Sequence, residues 1–262
     1  MVRKLLSLYC SYFKVNIKRL IEYRADFVFN LISVLVWVST GLINIVIIFT
    51  GLKSLNGWNL AQIGLLYGMW SLTFSIYNAF GNGIMDIENL VVTGNMDTLL
   101  TKPISPLFQI ICTRISTMGL GFLVFGVCLI VVSAAKVNLK WNIFKILYLI
   151  ATSISGGLMI FSTYLILGCL AFWFMRSSAA IRIGYDIHKF AQYPINIYGT
   201  GIRVLLVTLL PYAFTNYYPI SYLLGKSSLF FGIISPVICL FVFGISIKVW
   251  KLGLKKYEGS GS

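Results

Sequence analysis

Apolar residues in this chain gather in long uncharged runs separated by short polar stretches. The runs at 27–49 and 63–85 hold no charged side chain. Each is long enough, at about 1.5 Å of rise per helical residue, to cross about 30 Å of hydrocarbon, and they predict spans one and two. A third run, 107–135, carries one charge, Arg114. That side chain must snorkel to an interface or meet a partner, because at mid-bilayer it costs about 2.5–3.5 kcal/mol. The fourth run, 146–175, exceeds a perpendicular crossing, so it is expected to tilt, to extend past the bilayer, or to bend near Gly156 and Gly157.

Beyond Arg176 the pattern breaks up. Segment 177–193 mixes Arg182, Asp186, His188 and Lys189 with apolar residues ahead of Pro194, and reads as an interfacial helix. Span five is placed at 195–211, with Arg203 in it, and span six at 229–247. Between them 212–228, with Pro219 and many aromatics, is too interrupted for a regular span. It reads as a re-entrant or interfacial element, whose backbone must be satisfied by protein or water. At the start, Lys4, Ser7, Ser11, Lys14, Lys18 and Glu22 share one helical face and Leu6, Tyr9, Phe13, Ile17 and Leu20 another. Residues 1–26 are therefore expected to form an amphipathic helix lying in the head-group layer. The fold expected is an all-α polytopic membrane protein with six transmembrane helices in a single domain, 1–258, followed by an appended GSGS linker, 259–262.

Composition agrees. With 58% hydrophobic and 11% charged residues and a mean hydropathy of +0.89, the chain departs from the roughly 45–50% apolar, 25% charged usage of soluble domains. Its net charge of +14 lies beside apolar runs instead of in a solvated patch, which points to membrane lipids and away from nucleic acid. With both termini on one side, Lys53, Lys136, Lys140, Lys145 and Lys226 fall on the other, and the remaining 16 of 21 basic residues share the terminal side. The positive-inside rule makes that side cytoplasmic, together with the loop 86–106.

Chemistry of its own is hard to find. There is no GxxxxGK[ST] phosphate cradle. The cysteines, Cys10, Cys112, Cys128, Cys169 and Cys239, are scattered and read as small core residues. The lone His188 belongs to no HExxH or Ser-His-Asp arrangement and reads as a satisfied interfacial residue. No catalytic, cofactor-binding or metal-binding residue is assigned. The loop 86–106 is the richer stretch. Asp86 is placed to cap a short helix, Gly94 to end it, and Pro103 to stop a second one from Asn95 onward. Ile87, Leu90, Val91, Met96, Leu99 and Leu100 would rest on the spans, leaving Glu88, Asn89, Thr93, Asp97 and Thr98 in the cytosol. By these features alone the loop is equally a capped connector.

The phrases EYRADFVFN, GNMDTLLTKPISPLFQ, FAQYPINIYGTGIR and LLPYAFTNYYP resemble the pattern of ABC-2 type exporter permeases, the membrane subunits that work with separate ATPases. The most specific part is G-x-x-D-x-x-L-x-K-P-x-S-P, carried by Gly94, Asp97, Leu100, Lys102, Pro103, Ser105 and Pro106. The resemblance implies an N-terminal connecting helix, a coupling helix after span two and re-entrant helices between spans five and six. It also implies an ABC ATPase dimer that supplies ATP and Mg chemistry, a second permease copy or a sister permease, and residence in the cytoplasmic membrane of a prokaryote. On this reading the chain exports an amphipathic drug, lipid or peptide. Glu88, Asn89, Thr93 and Thr98 touch the ATPase, while Gly94, Asp97, Lys102 and Pro103 shape the coupling segment. Trp70, Tyr77, Asn78 and Trp173 are candidates for the substrate path, with helix packing or interface anchoring as their other role. The rival readings are a non-transporting membrane scaffold and a membrane-embedded lipid-modifying enzyme.

Overall fold

The computed structural model describes residues 24–113 and 116–257. The expected amphipathic helix at 1–26 lies outside them apart from its last residues, as does Arg114. The described residues are helical, with one isolated bridge between Leu55 and Trp58. In chain order they form α1 (Arg24–Gly51), α2 (Leu60–Phe80), α3 (Ile87–Val92), α4 (Asn95–Leu100), α5 (Pro106–Thr113), α6 (Met118–Lys136), α7 (Ile143–Gly168), α8 (Ala171–Phe174), α9 (Ser178–Lys189), α10 (Thr200–Val204), α11 (Tyr217–Leu223) and α12 (Leu229–Lys256). Four described stretches are long and apolar enough to cross a membrane: Phe27–Gly51, Met118–Lys136, Ile143–Phe174 and Leu229–Lys256.

α2 is of similar length but richer in polar and small residues, because protein surrounds it. It starts in a capping box: the Asn59 side chain accepts from the Gln62 N–H and the Gln62 side chain accepts from the Asn59 N–H. Gly64, Gly68, Ser71 and Ser75 recur at helical spacing and meet α6. A Cβ on Gly68 would lie 2.7 Å from Ile130 Cγ1, and the Ser71 and Ser75 hydroxyls donate to the Phe122 and Gly119 carbonyls at 2.7 and 2.8 Å. In membranes, where lipid tails are as apolar as leucine, such close packing of small residues holds helices together. Gly156 and Gly157 do the same against α2: a Cβ there would come within 2.5 Å of Thr73 and 2.6 Å of Ile76. α7 continues through these glycines without interruption and ends at Gly168.

Other boundaries also shift. The helix in the run expected as span two ends at Phe80, where Gly81 caps it and a 3₁₀ turn, Asn82–Asp86, follows. The run 107–135 is divided between α5 and α6. The expected span at 195–211 is not a continuous helix: Ile195–Ile197 is a 3₁₀ turn, α10 has five residues and Leu205–Leu209 is a π-helical turn. Pro194 and Gly199 interrupt the backbone there.

Contacts sort the connections onto two ends of the bundle. At the Trp58 end, the Asn56 amide donates to the Asn196 carbonyl at 2.8 Å, Asn196 returns a bond of 3.2 Å, and Lys226 donates to the Gly57 carbonyl and Gln62 at 2.6 and 2.7 Å. At the opposite, Glu88 end, α3 meets the start of α9, and Phe172 packs edge-on against Trp250 and Tyr257. Arg203, assigned from sequence to the terminal side, instead reaches the Asn196 and Tyr198 carbonyls near the Trp58 end.

Candidate functional site

The loop at the Glu88 end is built from two one-turn-and-a-half helices at an angle fixed by one residue. Gly94 takes φ 71°, ψ 0°, the left-handed conformation that closes α3 and opens α4, and its N–H donates to the Val91 carbonyl. Ile87, Val91 and Met96 are buried beneath it, while Asn89, Thr93, Asp97, Thr98, Lys102 and Pro103 are exposed. Leu100 departs from its expected place on the spans and is 44% exposed. Asp86 makes no side-chain cap bond, since the 3₁₀ turn before it has already begun the helical path. The loop is braced from behind by Gln109, whose amide donates to the Leu99 and Ile104 carbonyls at 2.9 Å each.

Glu88, expected to face the cytosol, is half-buried and turned to the start of α9. Its Oε2 accepts from the backbone N–H groups of Ser177 and Ser178, and the Ser177 and Ser178 hydroxyls lie at 3.4 and 3.3 Å from Oε2 and Oε1. A carboxylate on unpaired donors at a helix start is favoured by hydrogen bonding and by the helix dipole. The Ser177 backbone donor, then that of Ser178, holds the Glu88 carboxyl below the usual glutamate range. Ile87 reinforces the link by packing near Gly168, which also meets Ile181 of α9. Sequence reasoning gave no signal for this contact across 89 residues. On the far side of the loop Tyr257 sits by Asp97: burial, then the Asp97 carboxylate, push the Tyr257 phenol up.

α9 runs back along α7, its Gly184 against Leu167 and Tyr164. His188, expected at an interface, is instead fully buried. Its ring stacks on Trp70 and Phe74 at 5.5 Å each and meets Tyr212 edge-on at 4.9 Å, with no hydrogen bond to either nitrogen. Trp70, Tyr77 and Asn78 are likewise enclosed. Tyr77 packs edge-on against Tyr164 at 4.8 Å, and the Asn78 amide donates to the Phe74 carbonyl at 2.9 Å. Trp173 is 42% exposed at the Glu88 end, so these four residues are not brought to one place.

Sequence reasoning missed a cavity of about 670 Å³ between α1, α2 and α9, lined by Trp37, Thr40, Asn44, Tyr67, Lys189 and Gln192 among others. Lys189 is bonded to Asp186 at 2.7 Å and lies over the Tyr185 ring, 4.7 Å from its centre. Trp70 backs the wall, 5.7 Å from Trp37 and 5.5 Å from Tyr67. Among the described residues no group of three or more His, Cys, Asp and Glu side chains comes together in a way that could hold a metal ion.

A family model described as ABC-2 family transporter protein matches residues 35–261. The chain belongs to the ABC-2 transporter family. No curated protein and no solved structure matched it. Membership agrees with the resemblance carried by the Gly94 to Pro106 motif and makes this a multi-pass transporter-family membrane protein, of a kind that generally works as a non-catalytic subunit with ATPase partners. In this ABC-2 protein the motif's glycine is the left-handed hinge and its aspartate lies on the exposed side of α4.

Proposed function

We propose that the chain is the permease subunit of an ATP-driven exporter, crossing the cytoplasmic membrane of a prokaryote six times with both termini in the cytosol. The crossings on this reading are α1, α2, α6, α7, segment 178–197 and α12. Support for the fifth comes from its tethers: its first residues bond Glu88 at one end of the bundle, and Asn196 bonds Asn56 at the other. Segment 200–224 then dips as a re-entrant pair, from Arg203 near Asn196 down to Tyr212 on His188 and back to Lys226 on Trp58.

The observation that carries the function is the two-sided build of the loop. Its exposed face offers Asn89, Thr93, Asp97 and Thr98 to a soluble partner, while the half-buried Glu88 holds the start of α9. A partner ATPase that closes on ATP would displace α3 and α4. Glu88 would pass that displacement to α9, and thus to Lys189 and Gln192 in the cavity beside α1. Ionisable groups at membrane depth belong in a protein-lined or watered route, and a paired Lys189–Asp186 beside aromatic walls suits an amphipathic substrate. The route is therefore placed along α1 and α9, between this chain and a second permease, with Trp70 as its backing and Tyr77 and Asn78 as packing.

The test is the co-purified complex in proteoliposomes. Substituting Asp97→Ala should leave the partner's basal ATP hydrolysis in place and lower transport per ATP about tenfold, a coupling loss within the usual 1–3 kcal/mol. Transport unchanged by Asp97→Ala and Thr98→Ala overturns the coupling role. Absence of any ATPase from the complex favours the scaffold reading.

A further inference from the structure

We propose that the groove between α1, α2 and α6 at the Trp58 end seats an anionic phospholipid. The groove is open to one side, has a volume of about 540 Å³ and is separate from the α1–α9 cavity. Its residues are ordered by chemistry along the helix axes. On α1, Leu42, Val46 and Phe49 line it, and Lys53 follows just past the helix end, at steps of four, three and four. On α6, Leu129 and Val132 line it and Lys136 closes it. Both helices run toward the Trp58 end, so both lysines come at the mouth, where Leu52 and Leu60 also line the groove, and Leu42, Val46, Phe49, Leu129 and Val132 come below. Eleven residues of rise from Leu42 to Lys53 give about 16 Å of apolar wall beneath the charged rim.

The charges at the mouth are unanswered. Neither Lys53 nor Lys136 has a hydrogen bond or ion pair among the described residues, whereas Lys226 at the same end is held by Gly57, Gln62 and the Trp58 ring. The chain's seven acids are Glu22, Asp26, Asp86, Glu88, Asp97, Asp186 and Glu258, so none falls in the connections at the Trp58 end. Asn59, also at the mouth, adds an amide. α2 and α6 meet directly behind the groove: a Cβ on Gly64 would lie 2.3 Å from Ser133 Oγ. Two uncompensated ammonium groups over an apolar slot complement a phosphate head group with an acyl chain below it. A free anion would use the rim alone, and a neutral lipid the slot alone.

The test uses the full chain in detergent, offered equal amounts of phosphatidylglycerol and phosphatidylcholine with identical acyl chains and read by native mass spectrometry, with thermal melting as a control for folding. Wild type should retain phosphatidylglycerol in preference to phosphatidylcholine. The double variant Lys53→Gln, Lys136→Gln should lower that preference on the order of tenfold, about 1 kcal/mol being expected per lysine near an anionic surface. Lys140→Gln with Lys145→Gln, charges at the same end outside the groove, should preserve it. Val46→Trp, which fills the slot and leaves both lysines, should lower retention of both lipids. Equal retention of the two lipids by wild type overturns the proposal, as does an unchanged preference in the Lys53, Lys136 variant or an equal loss in the Lys140, Lys145 variant. Competition by millimolar inorganic phosphate with no effect of Val46→Trp would reassign the site to a free anion. A lipid-free dimer that dissociates on Val46→Trp would give the face to a second copy of the chain.

Discussion

Under the proposed function Glu88 links the loop to α9, and its charge state makes that link testable. The Ser177 and Ser178 donors hold its carboxyl low, so its contribution to stability is complete above the ordinary glutamate value of about 4.5 and fades as pH falls through the lower folded value. Glu88→Ala should cost about 1 kcal/mol at pH 7, the usual effect of losing a helix N-terminal cap. The gap between variant and wild type in thermal melts should narrow below about pH 4.5; a gap constant from pH 7 to 3 would show that the carboxylate is not what holds α9. Gly94 sets a second test at this scale. A β-branched side chain at φ 71° is strained, so Gly94→Val should destabilise the loop by about 1–2 kcal/mol. The glycine was legible from its place in the motif. The partners of Glu88 were not, because an acid one residue into a short helix looks the same whether it faces a partner or a distant backbone.

Among the elements, α2 shows how far patterning reaches. Its apolar run predicts a span, but hydropathy alone could not reveal that protein surrounds it or that it stops at Phe80, since Gly81 to Met85 carry no charge and the first acid, Asp86, comes only at the end of the 3₁₀ turn. For the long fourth run a bend near Gly156 and Gly157 is one of three expectations, beside tilt and extension; what the structure shows at these glycines is close approach to α2. Gly68→Leu should cost about 1–3 kcal/mol by forcing α2 from α6, measured as the midpoint of thermal unfolding in detergent. A neutral result would mean that the two helices meet less closely than Gly68 and Ile130 do here. α9 is the opposite case: Arg182, Asp186 and Lys189 hid it from an apolar-run criterion, although its neighbours are α7 and the aromatic core.

For the whole molecule, the two-ended sorting of contacts carries the account. Labelling of single cysteines by a membrane-impermeant reagent should place Asn196→Cys and Asn138→Cys on the face opposite Asp97→Cys. Labelling of Asn196→Cys and Asp97→Cys from one face would remove segment 178–197 as a crossing. The apolar runs made the bundle legible, and the motif made the loop legible. The path between them passes through side chains distant in sequence, Glu88 to Ser177 and His188 to Trp70, and local pattern holds no record of such pairs.

The central claim is that the exposed face of α3 and α4 receives the ATPase. The most direct measurement places a photo-cross-linking residue at Asn89, Thr93 or Thr98, and separately at Asn138 beyond α6, in the complex as purified from cells. Cross-links to the ATPase from the three loop positions and none from Asn138 are the predicted result. No cross-link from the loop, or equal cross-linking from Asn138, would contradict it.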